Sequence, residues 1–312
     1  MKRFLALLLA FAFCFSLSSC SFPSKTYTIN LIVKGTGTEF WKSVNRGAQA
    51  AASVYHADVQ MYGPKEENSD QTKYIEEAIA RKPDSMILAA SDYNRMAKQV
   101  ENAVNSGIPV VMVDSDVNSN RTVAYVGTDN VALGSKLAKE LCRQMKVGGK
   151  VAVVSFVQNS YPAVQREKGF RDTIAQDGRF ELLNTQYCDS DINTAEKQTQ
   201  ALLQSEPGIV AVAALNDPSA TGAAQALSKS GRKDTHLFAV DCLPEEAMYM
   251  EEGVLDLALL QNPYQMGYYS VEAAVKSLNG QSVKDIYTDI YTVDKNNMFD
   301  DLYQQMIFPF SS

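Results

Sequence analysis

Short apolar runs alternate with amphipathic stretches along the chain from Thr26 onward. Most of the first ten runs are almost continuously apolar, as in parallel strands that are covered on both faces. The predicted strands are Thr28–Val33, Asp58–Tyr62, Ser85–Ala89, Pro109–Val113, Thr122–Val126, Lys150–Phe156, Phe180–Tyr187, Gly208–Ala213, His236–Val240, Leu255–Leu260 and Ile286–Val293. The predicted helices are Phe40–Tyr55, Gln71–Arg81, Asn94–Ser106, Val131–Met145, Pro162–Asp177, Asn193–Gln204, Ser219–Ser230 and Tyr264–Leu278. This alternation predicts an α/β fold of doubly wound parallel sheets with helices on both faces.

Turn residues support these boundaries. The stretches Gly107-Ile108-Pro109, Gly148-Gly149 and Pro207-Gly208 each close a predicted helix just before a strand, where C-terminal glycines and following prolines belong. The strands are too many for one sheet of this kind and predict two sheets of five or six. We expect the break between them near Gly127–Asn130.

The first twenty residues have the pattern of a secretory signal. Met1-Lys2-Arg3 precedes an apolar run from Phe4 to Phe15, which is shorter than the ~20 residues that span a bilayer. The following Leu17-Ser18-Ser19-Cys20 resembles the bacterial lipobox. We therefore predict a signal peptide over 1–19, a lipid on Cys20 and a polar leader over 20–25. The alternative is an ordinary signal with a chance cysteine.

Composition excludes several classes of protein. Apolar residues make up 46% and charged residues 21% of the 312 residues, which is globular composition. The net charge of −7 argues against a nucleic-acid binder, which needs a basic face. With two histidines and no paired-cysteine spacing, neither a metal site nor a cofactor is expected. Cys142, Cys188 and Cys242 fit small buried hydrophobes, and a Cys188–Cys242 bridge remains open.

Polar side chains follow most of the predicted strands. In open α/β sheets, ligands bind beyond the carboxyl ends of the strands. The residues at these ends are Ser91, Asp92, Asp114, Ser115, Asp116, Thr128, Asp129, Asn130, Asn159, Ser160, Asp189, Asn216, Asp217, Asp241, Gln261 and Asn262. With the aromatic pair Phe40-Trp41, such a ring suits a neutral polyhydroxyl ligand, because amides and carboxylates bind hydroxyls and a ring packs on the C–H face.

Each of these residues also has a purely structural interpretation. Asn130, Ser160 and Asp217 are interpreted as helix N-caps rather than ligand contacts. Phe40 and Trp41 taken singly fit a core equally well, and a lone Arg166 fits a solvated surface charge. The functional interpretation therefore depends on the whole set converging at one end of two sheets.

Several stretches carry a family resemblance. They are Phe40-Trp41, Ile108-Pro109-Val110-Val111 with Asp114, Gly127-Thr128-Asp129-Asn130, Gln165-Arg166-Glu167-Lys168-Gly169-Phe170, Ala214-Leu215-Asn216-Asp217, Val240-Asp241 and Gln261-Asn262-Pro263-Tyr264-Gln265-Met266-Gly267. In their order and spacing from about Thr28 to Lys295, they resemble the type I periplasmic sugar-binding proteins, most closely the ribose-binding branch. This resemblance implies two lobes joined by a hinge of three crossings.

The resemblance also implies roles for individual residues. Phe40 and Trp41 would pack on the sugar ring, Asp114 would bind hydroxyls from the first lobe, and Gln261 would bind from the hinge. The contacts implied for the second lobe are Arg166, Asn216 and Asp241.

Three positions depart from the ribose branch. Ser115 stands where that branch has Arg, Thr38 where it has Asn, and Ser190 where it has an aromatic residue. A differently substituted or larger sugar, or another polyol, therefore fits better than ribose.

The implied lobes are 26–128 plus 262–290 and 129–261 plus 291–307. The implied function is that of a monomeric, non-enzymatic solute-binding lipoprotein at the outer face of the bacterial membrane or in the periplasm. It would capture a sugar or polyol and deliver it to an ABC import permease.

Two alternatives remain from sequence. One is a sensor that presents the same ligand to a chemoreceptor or histidine kinase. The other is an exported α/β enzyme acting on sugars, for which the pairs Asp114/Asp116 and Asp241/Glu245 are available but a G-x-S-x-G elbow is absent. The tail over 296–312 extends past the matched region and receives no functional assignment.

Overall fold

The structure is a computed structural model that describes residues 26–67 and 69–308. The predicted signal peptide, Cys20 and the leader over 20–25 lie outside the described residues. Within the described ranges, no helix combines the length and apolar character needed to cross a membrane.

Strands and helices alternate in the order that the sequence predicts. The strands are β1 (Tyr27–Ile32), β2 (Ala57–Tyr62), β3 (Ser85–Leu88), β4 (Val110–Val113), β5 (Tyr125–Gly127), β6 (Gly149–Ser155), β7 (Phe180–Leu182), β8 (Gln186–Tyr187), β9 (Ile209–Ala214), β10 (His236–Val240), β11 (Leu257–Leu260), β12 (Ile286–Tyr287) and β13 (Tyr291–Val293). The helices are α1 (Glu39–Tyr55), α2 (Thr72–Arg81), α3 (Ala97–Asn105), α4 (Asn130–Gln144), α5 (Tyr161–Ile174), α6 (Ile192–Ser205), α7 (Asp217–Ser230), α8 (Pro244–Glu252), α9 (Pro263–Leu278) and α10 (Asp301–Ile307).

Two sheets organise the described chain. The first is all parallel, in the order β12-β5-β4-β3-β1-β2. The second has the order β13-β11-β10-β9-β6-β7, with β8 beside β6 and the edge strand β13 antiparallel to β11. We refer to each sheet with its packed helices as a lobe. The predicted α/β class with two doubly wound sheets is confirmed.

Both faces of the first sheet are buried, which explains its continuous apolar strands. Every residue of β3 and β4 is buried. Successive side chains point to opposite faces, so Ile87 and Val111 enter one apolar cluster while Met86 and Met112 enter the other. Helices cover both clusters, so these central strands carry apolar side chains toward both faces.

The described chain passes between the sheets three times: after β5, after β11 and between β12 and β13. The third passage corrects the sequence prediction of a single strand over Ile286–Val293. Thr288 still donates its backbone N–H to Gly127 in the first sheet, at 2.8 Å, and the chain joins β11 in the second sheet from Tyr291.

The predicted strand Phe180–Tyr187 is likewise divided. Between β7 and β8, the Arg171 guanidinium binds the Leu183 carbonyl at 2.9 Å and the Thr185 hydroxyl at 2.8 Å. These contacts hold the segment to α5 and interrupt the ladder. The sequence also missed α8, although a proline at its first position is a common start signal, and it left α10 unassigned.

Helices α4 and α5 cross at two glycines, which fixes where α5 lies over the second sheet. A Cβ added to Gly134 would lie 2.0 Å from the Arg166 carbonyl oxygen, and one added to Gly169 would lie 2.1 Å from the Val131 carbonyl oxygen. Only a residue without a side chain permits this approach.

The described cysteines carry free thiols, so the Cys188–Cys242 bridge that the sequence left open is not formed. Cys188 and Cys242 are buried, as expected of small hydrophobes, whereas Cys142 is only half-buried.

Candidate ligand-binding site

A cleft lies between the lobes at the carboxyl ends of their strands and contains a cavity of about 50 Å³. This is the location expected for a ligand in open α/β sheets. The residues that line it are Lys34, Thr38, Phe40, Trp41, Glu67 and Asp114 from the first lobe, Phe156, Pro162, Arg166, Asn216, Asp217, Pro218 and Asp241 from the second, and Gln261 at a crossing.

Two aspartates occupy corresponding positions in the two lobes. Asp114 directly follows β4 and Asp241 directly follows β10. Both have left-handed backbone conformations, with φ of 58° and 71°. This conformation is uncommon outside glycine but tolerated by aspartate, and such strain concentrates at functional sites. In each lobe it turns the chain at the strand end and puts a carboxylate on the cleft.

Asp114 lies in a buried ion pair. The Lys34 ammonium is 2.9 Å from Asp114 Oδ2, which also accepts a hydrogen bond from the Ser115 hydroxyl at 3.0 Å. The same ammonium lies 5.6 Å from the centre of the Trp41 ring, a favourable cation–π position. Sequence reasoning missed Lys34, although its place immediately after the predicted strand Thr28–Val33 follows the strand-end rule that selected the other polar residues.

Arg166 is buried, with 2% of its surface exposed, and not the solvated charge that its sequence position also permitted. Its Nε donates to Asn130 Oδ1 at 2.7 Å, Nη1 to the Leu215 carbonyl at 2.9 Å and Nη2 to Gln261 Oε1 at 2.7 Å. The guanidinium carbon lies 5.5 Å from the centre of the Phe156 ring. The arginine thus ties α5 to α4, to the end of β9 and to the residue after β11.

Gln261 joins groups from both lobes. Its Oε1 accepts from the Thr128 hydroxyl at 2.9 Å as well as from Arg166, and its Nε2 donates to Asp241 Oδ1 at 2.9 Å. Burial raises the pKa of Asp241, while the positive charge of Arg166 opposes that shift. Both effects act on a carboxylate that faces the cleft.

The aromatic pair lies in the first turn of α1. Thr38 is its N-cap, and the hydroxyl accepts from the Trp41 backbone N–H at 3.5 Å. Phe40 and Trp41 meet edge to face with ring centres 5.0 Å apart. Trp41 is 1% exposed, and its indole N–H donates to Glu67 Oε1 at 2.5 Å.

The N-caps differ by one residue from two of the sequence interpretations. Asp129 caps α4 and Asn216 caps α7, so Asn130 is free to accept from Arg166, and Asp217 lines the cleft. Asn216, a predicted ligand contact, uses its Oδ1 to accept from the Ser219 N–H at 3.2 Å. Ser160 does occupy the N-cap position of α5, but its hydroxyl donates to the Val157 carbonyl.

Asp217, which is half-buried, interacts with the carboxyl group of Glu246. Glu246 is fully buried and binds the Thr221 hydroxyl and the Leu243 N–H. Burial, together with the negative charge of Asp217 and a hydrogen bond with it, raises the pKa of Glu246 well above its ordinary value, which favours the protonated carboxyl. Burial, together with the negative charges of Asp241 and Glu67, raises the pKa of Asp217 to about 6.

Direct contacts hold the two lobes together. Glu67 Oε2 accepts from the Ser190 hydroxyl at 3.1 Å across the cleft. Nearby, the Tyr93 N–H donates to the Asn159 carbonyl at 3.1 Å, and Tyr93 and Tyr161 stack with ring centres 5.6 Å apart. The structure therefore represents the lobes in a closed arrangement.

The cleft brings together every principal residue that the sequence proposed for ligand contact: Phe40, Trp41, Asp114, Arg166, Asn216, Asp241 and Gln261. Thr38 lines it as well, whereas Ser115 and Ser190 contact it through Asp114 and Glu67. Glu67 escaped sequence reasoning because it lies in the loop after β2, five residues past the end of the strand. Within the described chain, no group of acidic, histidine or cysteine side chains has the arrangement of a metal site.

Comparison with known proteins gives the same family as the sequence resemblance. A family model described as "Periplasmic binding protein domain" matches residues 29–282. The ribose import binding protein RbsB of Escherichia coli K12 is 27% identical over 261 residues, covering 83% of this chain and 88% of that protein. The protein of the same name from Bacillus subtilis is 28% identical over 260 residues, covering 83% of this chain and 84% of that protein.

Solved structures agree with the sequence relatives. An ABC transporter solute binding protein from Agrobacterium vitis, bound with alpha-D-tagatopyranose, has a TM-score of 0.87 at 28% identity and covers 90% of this chain and 99% of that one. A carbohydrate transporter solute binding protein from Agrobacterium radiobacter, in complex with D-arabinose, has a TM-score of 0.86 at 25% identity with the same coverage. The matched domain, the sequence relatives and the shared two-lobed fold together make this chain a member of the periplasmic binding protein family.

Proposed function

We propose that this protein captures a sugar or polyol in the cleft between its lobes and delivers it to an ABC import permease. Its sequence relatives are named as ribose import binding proteins, and similar structures hold monosaccharides. The role is binding and transfer of an unchanged ligand, without catalysis.

The observation that carries the proposal is that Asp114 from one lobe and Asp241 from the other line the same cleft as the Phe40–Trp41 pair. Carboxylates accept hydrogen bonds from hydroxyl groups, while aromatic rings pack against the C–H face of a sugar ring. A hydrogen bond to a charged group contributes about 1.5–3 kcal/mol. Asp114, Asp241 and Arg166 would therefore dominate the affinity, with Asn216 and Gln261 adding neutral contacts.

Closure follows from where these groups lie. A ligand in contact with both lobes is bound more tightly by the closed form, because the open form presents only part of the contacts. We propose that 26–128 plus 262–290 and 129–261 plus 291–307 move as two bodies about the three crossings. The permease would recognise the closed form.

The amino-terminal pattern supports a proposed location. A signal peptide over 1–19 would direct export, and a lipid on Cys20 would hold a monomer at the outer face of the membrane. Stable anchoring requires more than one acyl chain, which a lipidated amino-terminal cysteine supplies.

Trp41 provides the test, because it is the only tryptophan of the chain and lines the cleft. A panel of pentoses, hexoses and polyols is titrated while the indole emission and the melting temperature are followed. We expect a saturable change in emission and a rise in melting temperature for at least one member. If no member changes either signal, the proposal is wrong.

Variants then locate the binding site. Asp241→Ala should abolish binding while circular dichroism shows an intact fold, and Asp241→Asn provides a second, isosteric variant. Asp234→Ala is the matched control, because its side chain is 83% exposed and it should bind as the wild type does. Chemical conversion of any sugar in the panel would contradict the non-enzymatic role.

A further inference from the structure

Negative charge exceeds positive charge in the cleft. Among the described residues, its lining includes the carboxylates of Glu67, Asp114, Asp217 and Asp241 but only two cations, Lys34 and Arg166. Lys34 is paired with Asp114 at 2.9 Å, and the hydrogen bonds of Arg166 go to three uncharged oxygens. The closed cleft therefore holds more acid than its own cations neutralise.

The remaining acids are supported by neutral donors. Asp241 accepts from the Gln261 amide, and Glu67 accepts from the Trp41 indole and the Ser190 hydroxyl. The mutual repulsion of these acids contributes to raising the pKa of Asp217 to about 6, since Asp241 and Glu67 both act in that direction. Glu67 and Asp217 thus line the cleft from opposite lobes, and no ion pair with a described cation neutralises either of them.

The acidic character continues past Glu67 into a second cavity of about 240 Å³. Asp92 and Asp189 line it together with a single cation, Arg95, among the described residues. Ser91 also lines it; this residue is 9% exposed, and its hydroxyl has no hydrogen-bond partner within the described chain. The excess of acid over base therefore extends beyond the cleft itself.

We propose, on the basis of the function proposed above, that the ligand is an amino sugar or amino polyol whose ammonium group binds between Glu67 and Asp217. Closure of the lobes removes water from the excess carboxylates, which is unfavourable unless they are paired. A neutral sugar leaves that charge uncompensated. An ammonium group supplies one positive charge and three donors, while the rest of the polyol meets Asp114, Asp241 and the aromatic pair.

The test compares matched ligands by isothermal titration calorimetry on the purified protein. The pairs are D-glucose and D-glucosamine, D-galactose and D-galactosamine, and myo-inositol and an aminodeoxyinositol, with the N-acetylated hexosamines as uncharged controls. In at least one pair we expect the amine to bind at least tenfold more tightly than the hydroxyl compound, and acetylation to remove that advantage.

The outcomes separate the two proposals. If hydroxyl compounds bind as tightly as amines or more tightly, the charge inference is wrong and the sugar-binding function stands. If neither neutral nor amino compounds bind, both proposals are wrong.

Isosteric variants identify the groups responsible. Glu67→Gln and Asp217→Asn each remove one negative charge, so the affinity ratio of amine to hydroxyl compound should fall at least tenfold. A merely structural defect would weaken both members equally and leave the ratio unchanged, which would overturn the assignment. Glu66→Gln is the control, because Glu66 is a neighbouring exposed carboxylate.

The pH dependence gives a second readout. Asp217 faces Glu245 and Glu246 of α8, Asp241 after β10 and Glu67 of the first lobe. Protonation of Asp217 should weaken amine binding as the pH falls through about 6. Asp217→Asn should abolish this dependence; an unchanged pH profile in that variant would contradict the role of Asp217.

Discussion

Replacement of Arg166 by methionine tests how the cleft is held in shape. Methionine keeps much of the side chain's length but removes the guanidinium. It leaves Asn130 Oδ1, the Leu215 carbonyl and Gln261 Oε1 without the donors that now lie at 2.7, 2.9 and 2.7 Å. Asp241 also loses the nearby positive charge that opposes its raised pKa. Only 2% of the Arg166 surface is exposed, so water cannot replace the lost contacts.

The expected cost is large for one residue. Removing one partner of a buried charged network typically costs about 3–5 kcal/mol. At roughly 2–4 °C for each kcal/mol in a domain of this size, the melting temperature of the second lobe should fall by roughly 6–20 °C. Arg166→Lys should recover only part of this loss, because one ammonium cannot reproduce the planar fork of a guanidinium.

Differential scanning calorimetry measures this effect, and sugar titration of the folded variant measures the effect on binding. Arg143→Met is the matched control: its side chain is 67% exposed and pairs with Glu140 on the surface. Such exposed pairs contribute about 0–1 kcal/mol. If Arg166→Met melts within 2 °C of the control (roughly 1 kcal/mol or less), the network does not support the cleft.

Three further variants test other parts of the structure. Gly169→Ala places a Cβ 2.1 Å from a backbone carbonyl oxygen of α4, so calorimetry should show a loss of about 1–3 kcal/mol in the free energy of unfolding. The control Gly178→Ala has open space for a Cβ among the described atoms and should change stability little. Equal effects of the two variants would contradict the close packing of α4 and α5. The pKa of Glu246 is raised in the folded state above its ordinary value of 4.5. Above pH 4.5 the folded protein therefore binds the Glu246 proton more tightly than the unfolded chain does, and its stability falls as the pH rises toward the folded pKa. Glu246→Gln should therefore gain stability relative to the wild type in urea titrations at pH 8 but not near pH 4, and a constant difference would refute this. Ser190→Ala removes the hydroxyl bound to Glu67, so small-angle scattering should give a larger radius of gyration without ligand; an unchanged radius would mean that this bond does not hold the lobes closed.

The sequence predicted those parts of the structure that depend on position along a strand. Asp114 and Asp241 could be assigned to the cleft because the carboxyl ends of parallel strands meet at one edge of a sheet. That rule needs no knowledge of side-chain direction. The same rule would have selected Lys34, which follows β1, but a lone lysine also fits an exposed surface.

Other features depend on contacts between distant segments. Glu67 reaches the cleft only because its loop packs beside Trp41, 26 residues away, and local sequence carries no signal of this contact. Asp217 was assigned to the cap that Asn216 forms, because both residue types cap helices well and adjacent positions cannot be told apart. The strand predicted over Ile286–Val293 divides where the chain changes sheets, a division that its apolar pattern does not mark.

Hydrogen–deuterium exchange with and without the tightest ligand of the panel tests the central claim most directly, because it reports on both lobes in one experiment. A ligand bound between them should slow exchange around Trp41 and Asp114 in the first lobe and around Asn216 and Asp241 in the second, while the amides of α3, which lies away from the cleft, exchange as before. Protection confined to one lobe, or found only outside these segments, would contradict a site shared by the two lobes.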